Sequence, residues 1–128
     1  MSDIRAHAHF SIHDGKLEAF RKAVDECIRI VDQLDTGTLL YDWFINEAGH
    51  EAVLIEQFRD SEAVIEHIDH LGNRPDAVLA VSDMSVQGFG EPTPELRERL
   101  AKYDVTIFTP LAKAKLGQTG KTKAKATV

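Results

Sequence analysis

The sequence predicts an α+β chain: one antiparallel sheet with helices on one face. Three observations predict it. Residues 4–13 alternate strictly between apolar and polar side chains, the period-two signature of a strand with two distinct faces. Residues 16–34 switch to apolar residues at spacings of three and four, the signature of an amphipathic helix. Strand-like and helix-like segments then succeed one another in the order β-α-β-β-α-β, the split βαβ or ferredoxin-like pattern, with a further α-β behind it.

In the first strand Ile4, Ala6, Ala8, Phe10 and Ile12 share one face, and Arg5, His7, His9, Ser11 and His13 share the other. Asp14 and Gly15 break it, and Asp14 is placed to cap the next helix. The stripe of that helix is Leu17, Phe20, Val24, Cys27, Val31 and Leu34. Thr36 and Gly37 end it. Two strands, 38–46 and 51–58, flank the turn EAGH and read as a hairpin. Asp60 caps a second helix over 61–71, and Asn73 and Pro75 open a short helical turn reaching Ala80. A fourth strand over 83–89 precedes a third main helix, with Thr93 as N-cap and Pro94 at its first position. A last strand is expected over 105–111.

Length and charge narrow the function. The 128 residues suit a single domain, here residues 1–112, and 43% are hydrophobic, ordinary for a chain with a real core. Net charge is −6, but residues 113–128 hold five lysines and no acid. Without them, ten basic residues face 21 acidic ones. Such a body is a poor partner for nucleic acid, which needs a basic face. The tail reads as a solvated, disordered end. No segment is long and apolar enough to span a bilayer, and the N-terminus lacks the pattern of a secretory signal. The cytoplasm is the expected location. The single cysteine, Cys27, excludes an intrachain disulfide.

The second strand is apolar on both faces: Leu39, Tyr41, Trp43 and Ile45 on one, Leu40 and Phe44 on the other. A sheet with large side chains on both faces must be covered twice. A second copy packed sheet to sheet is the economical solution, so a symmetric homodimer is expected. His7, His9 and His13 then line the interface rather than bind metal, and their protonation below about pH 6 should weaken the dimer.

Gly15 before the first helix, the run GTLLY at 37–41, the run EQFRD at 56–60, and Ala63 with His67 resemble the antibiotic biosynthesis monooxygenase family. The resemblance covers roughly residues 4–71. It implies a dimeric α/β barrel built from two sheets, with a ligand cavity between sheet and helices in each subunit. It also implies oxidation of a small aromatic or quinol compound by oxygen with no cofactor and no metal, or else non-catalytic small-molecule binding or a stress response on the same fold. Haem breakdown is not expected. Relatives that perform it use a strand-one asparagine and a histidine soon after the second helix, where this chain has Ala8 and no histidine beyond His70.

Among the candidate site residues, His67 stands at the edge of the helix's apolar face, either as a catalytic base or as a buried histidine bonded to a carbonyl. Tyr41 and Trp43 are either cavity wall or core, with Phe58 beside them. Glu56 sits on the face of Leu54 and Phe58, where a carboxylate needs a partner: Arg5, or a histidine across the sheet. His70 is expected at the cavity mouth or in solvent. His67 and His70 are three apart but lack a third metal ligand. The Gly-Lys-Thr at 120–122 lacks the earlier glycine of a phosphate loop.

Overall fold

The structure is a computed structural model and describes residues 3–116. In chain order it contains β1 (Ile4–Ile12), α1 (Leu17–Leu34), β2 (Thr38–Ile45), β3 (Glu51–Phe58), α2 (Ser61–Leu71), α3 (Pro75–Leu79), β4 (Ser82–Phe89), α4 (Pro94–Leu100) and β5 (Val105–Phe108). The five strands form one mixed sheet in the order β2-β3-β1-β4-β5. β1 pairs antiparallel with both β3 and β4, and β2 pairs antiparallel with β3. β5 runs parallel to β4, as a strand reached through the α4 crossover can. This is the ferredoxin-like α+β fold with one added edge strand. The sheet does not close on itself.

The alternation in β1 sorts the faces as its pattern requires. Ile4, Ala8, Phe10 and Ile12 are buried toward the helices, while Arg5, His9 and Ser11 are exposed on the other face. α1 covers the inner face with Phe20, Ala23, Val24, Cys27, Ile30 and Val31 buried. Each large apolar side chain so buried contributes roughly 1.5–3 kcal/mol. Leu34, expected on this stripe, is 47% exposed at the last turn.

The caps divide. Asp60 accepts from Ala63 N at 2.9 Å, and Thr93 accepts from Leu96 N at 3.2 Å, so α2 and α4 start as expected. Asp14 does not cap α1. Lys16 holds that position with no side-chain bond, after a turn at Gly15 (φ 75°) closed by Lys16 N donating to His13 O. β5 stops at Phe108, three residues short of the expected end, because Pro110 cannot donate to a ladder. A β-bulge between Thr38 and Leu40 takes Leu39 off the Tyr41 face and leaves it 58% exposed. Residues 112–115 have no regular structure, and the expected disordered tail otherwise lies outside the described residues.

Gly37 sets the spacing between β2 and α2. A Cβ built there would stand 2.5 Å from Ala63 Cβ, closer than any side chain tolerates. Gly37→Ala must therefore push the first turn of α2 away. We expect it to cost about 1–3 kcal/mol, measured as a lowered melting temperature. An unchanged melt would show that the two elements do not need this approach.

Candidate active site

A cavity of about 230 Å³ lies between the inner sheet face and the helices. Sequence explains the space. β1 contributes Ala6 and Ala8, and β4 contributes Gly88, which sits opposite Ala6 in the ladder. Three small residues at neighbouring inward positions leave a gap that longer side chains from Phe10, Trp43, Leu54 and Phe58 surround but do not fill. Leu96 of α4, fully buried, also lines it. α4 is held to α2 by Thr93 N donating to Ser61 Oγ and by the Arg99–Asp69 ion pair.

One pole of this apolar cavity is ionisable. His67 of α2 and Glu56 of β3 both line it. Only 5% of His67 is exposed, and its two ring nitrogens face two different carboxylates. Nδ1 donates to Asp35 Oδ2 at 2.7 Å, and Nε2 stands 3.4 Å from Glu56 Oε1. Asp35 is the C-cap of α1 and lies behind the imidazole, away from the cavity. It also accepts from Thr38 Oγ1 at 2.6 Å and, through Oδ1, from His70 Nδ1 at 2.7 Å. With a side chain only 1% exposed, an ionised Asp35 depends on these three donors.

The charges follow from the contacts. Burial disfavours the charged imidazole, but Asp35 and Glu56 outweigh it and push the His67 pKa up to about 9. Burial likewise works against Asp35. The hydrogen bonds from His67, Thr38 and His70 outweigh it and hold the carboxyl down at about 2. At neutral pH the ring is therefore an imidazolium with both nitrogens protonated and no lone pair to offer. Tyr41 faces Glu56 across the β2–β3 ladder. Burial, and then the charge of Glu56, push its phenol well above the ordinary value, so it stays a neutral donor. The rings of Tyr41 and Phe58 pack on His67 at centroid distances of 5.3 and 5.0 Å, fixing its orientation.

The structure thus brings together five of the six residues singled out from sequence: His67, Glu56, Tyr41, Trp43 and Phe58 all line the cavity. His70 does not. It turns to Asp35 and, with a side chain 27% exposed, braces the network from outside. Glu56 pairs with neither Arg5 nor a strand histidine but with the helix. The residue missed was Asp35. A signal existed: an acid at a helix C-terminus opposes the macrodipole, and needs a compensating partner. Asp35, Glu66 and His70 also bring one donor atom each within 4.8 Å of one another. Those groups are already engaged, Glu66 by Thr36 N and Oγ1 and Asp35 by the two histidines and Thr38.

The cavity thus lies inside a ferredoxin-like α+β fold, between its sheet and its helices. The family model for antibiotic biosynthesis monooxygenase matches residues 3–71, more than half of the chain, and the chain belongs to that family. No curated protein sequence matches it. Among solved structures, MupZ from Pseudomonas fluorescens superposes with a TM-score of 0.79 at 19% identity, over 91% of this chain and 97% of that one. SnoaB, a cofactor-independent oxygenase from Streptomyces nogalater, gives 0.61 at 14% identity, over 73% of this chain and 96% of its own. Rv0793 from Mycobacterium tuberculosis gives 0.58 at 25% identity, over 66% and 92%.

Proposed function

We propose that the chain is a cofactor-independent monooxygenase acting on a small aromatic or quinol-type compound. The observation that carries this reading is an apolar cavity with one buried carboxylate–imidazolium pair in its wall, Glu56 and His67. Family membership and the fold shared with a cofactor-independent oxygenase support it. The residue pattern alone points to His67 as the base. Its engaged nitrogens shift that part to Glu56, and His67 becomes the charged group that positions it. Glu56 takes the phenolic proton, and the electron-rich phenolate gives an electron to oxygen. Recombination at a ring carbon forms a peroxide, and its collapse leaves a quinone. One oxygen atom enters the substrate and the other leaves as water. The substrate supplies both reducing electrons, and the dry cavity protects the intermediates.

The test is oxygen consumption with a panel of hydroquinones and hydroxynaphthalenes, with labelled oxygen traced by mass spectrometry. One labelled atom in the product supports the reading. Tight binding of the panel with no turnover would instead favour a binding protein of the same fold.

The reading includes a dimer formed through the outer sheet face. That face carries Leu40, Phe44, Val53, Ile55, Phe89 and Phe108, with Phe44 54% and Phe108 50% exposed. No helix among the described residues covers it, and a bare apolar sheet face of this kind suits a docking surface. His7 and His9 share the face, while His13 contacts Asp83 at its end. Light scattering at micromolar concentration should give twice the chain mass, and a Val53→Glu, Ile55→Glu double variant should give the monomer. A wild-type monomer would remove the dimer from the reading. No helix among the described residues is long and apolar enough to cross a membrane.

A further inference from the structure

Glu56 and His67 hold one pole of the cavity, and a different set of residues marks where it opens. Arg5, Gly72, Asp76, Leu79, Met84 and Tyr103 line the cavity and are also exposed. Arg5 stands apart, with its side chain turned to Asp3. The large apolar side chains of the set are Leu79, Met84 and Tyr103.

The sheet register brings those three together. Val86 pairs with Val105 in the parallel ladder, so two residues back along each chain Met84 comes level with Tyr103. α3 ends at Leu79 and β4 begins at Ser82, which places Leu79 over the same end of the sheet. Ser82 Oγ donates to Val78 O at 2.7 Å and ties α3 down there. The register also measures the distance to the ionisable pole. Glu56 and Gly88 both pair with Ala6, so they stand two strand spacings apart, roughly 10 Å. Met84 lies a further four residues along β4 from Gly88, roughly 13 Å. Opening and carboxylate are therefore at opposite ends of the cavity.

The two ends differ in chemistry. The Glu56 end can take a proton. The opening gathers three large apolar side chains, whose surface is stabilised when something apolar covers it. The acid that α3 brings to the cavity, Asp76, would repel an anionic group there.

We propose that the ligand enters between α3 and the turn before β5, and that its end remote from Glu56 is an uncharged apolar side chain seated against Leu79, Met84 and Tyr103. These three residues select the ligand by that side chain. The inference deepens the monooxygenase reading by naming a substrate class, a phenol or quinol with an apolar side chain, and rests on that reading only for which end faces Glu56.

The chain has two methionines, Met1 and Met84, so the Met84 methyl resonance is readily assigned in a carbon–proton correlation spectrum. Adding 4-hexylphenol should shift it; adding 4-ethylphenol, too short to reach from Glu56 to the opening, should not. By calorimetry 4-hexylphenol should bind at least about tenfold more tightly than 4-ethylphenol, since each buried methylene is worth roughly fourfold. An analogue whose hexyl chain ends in a carboxylate should lose that gain. A Met84→Ser, Tyr103→Ser double variant, changed only at exposed positions, should bind 4-hexylphenol about tenfold more weakly and 4-ethylphenol as the wild type does. The wild-type spectrum decides the matter even if the variant folds poorly. A Met84 methyl that responds equally to both phenols or to neither, equal weakening of both in the variant, or a carboxylate analogue that binds as tightly as 4-hexylphenol would overturn the proposal. Absence of oxygen consumption with these binding results intact would count against the monooxygenase reading alone, whereas turnover with a silent Met84 would count against this inference alone.

Discussion

Denaturant unfolding at a series of pH values is expected to show stability falling as pH rises from about 6.5 to about 9, and Asp35→Asn is expected to flatten that fall. His67 carries the effect. Its pKa is about 9 in the folded chain against an ordinary 6.5, so the folded state binds the proton more tightly. A raised folded pKa gives stability that is complete below the ordinary value and lost as pH climbs through the folded one. With the imidazole buried, the loss is of order 3 kcal/mol. Asp35 acts with the opposite sign. Its folded pKa of about 2 lies below the ordinary 3.8, so its contribution is present above 3.8 and disappears as pH falls toward 2. Cys27, raised by burial to about 11 from 9.0, takes stability away only above pH 9, so a series ending there isolates the histidine. In Asp35→Asn the shape remains but the buried charge that holds His67⁺ is gone. Removing one partner of a buried pair costs about 3–5 kcal/mol near neutrality. Equal stability of the wild type at pH 6 and pH 9 would show that the imidazolium is not held as the contacts indicate.

Much of this arrangement could be read from the chain, and what could not has a common cause. The alternation of β1, the stripe of α1 and the caps at Asp60 and Thr93 are local patterns, and the structure keeps them. Glu56 was conspicuous as an acid among Leu54 and Phe58, so its need for a partner was legible. The partner's identity was not. It depends on how α2 sits over β3, a tertiary register that no local spacing encodes. Asp35 was hidden for the same reason: the chain between α1 and β2 reads as punctuation, yet it delivers the carboxylate that organises both histidines. Leu39 was misplaced because a bulge adds one residue to the strand without a local signal. The cavity was half visible. Ala6 and Ala8 announced space on the inner face, but Gly88 completes it from a strand about 80 residues away, through the β1–β4 ladder.

The second large effect concerns turnover. Glu56→Gln is expected to lower kcat by about 10²–10⁴-fold on whichever hydroquinone proves active, with KM little changed. The amide keeps the shape and a contact to His67 but cannot accept a proton. On the reading proposed above, His67→Gln should fall less steeply in rate and further in stability, since it would remove the charge that positions Glu56 rather than the acceptor itself. The pH profile separates the two assignments by its sign. If Glu56 accepts the proton while His67⁺ holds it in place, wild-type kcat falls as pH rises through about 9, where the imidazolium is lost. If His67 were the base, kcat would instead rise through the same range, because only the neutral ring has a lone pair to receive a proton. A rising limb there, with Glu56→Gln near wild-type rate, would return the base's part to His67. A falling limb that disappears in His67→Gln would establish that the histidine's task is to carry charge beside the carboxylate.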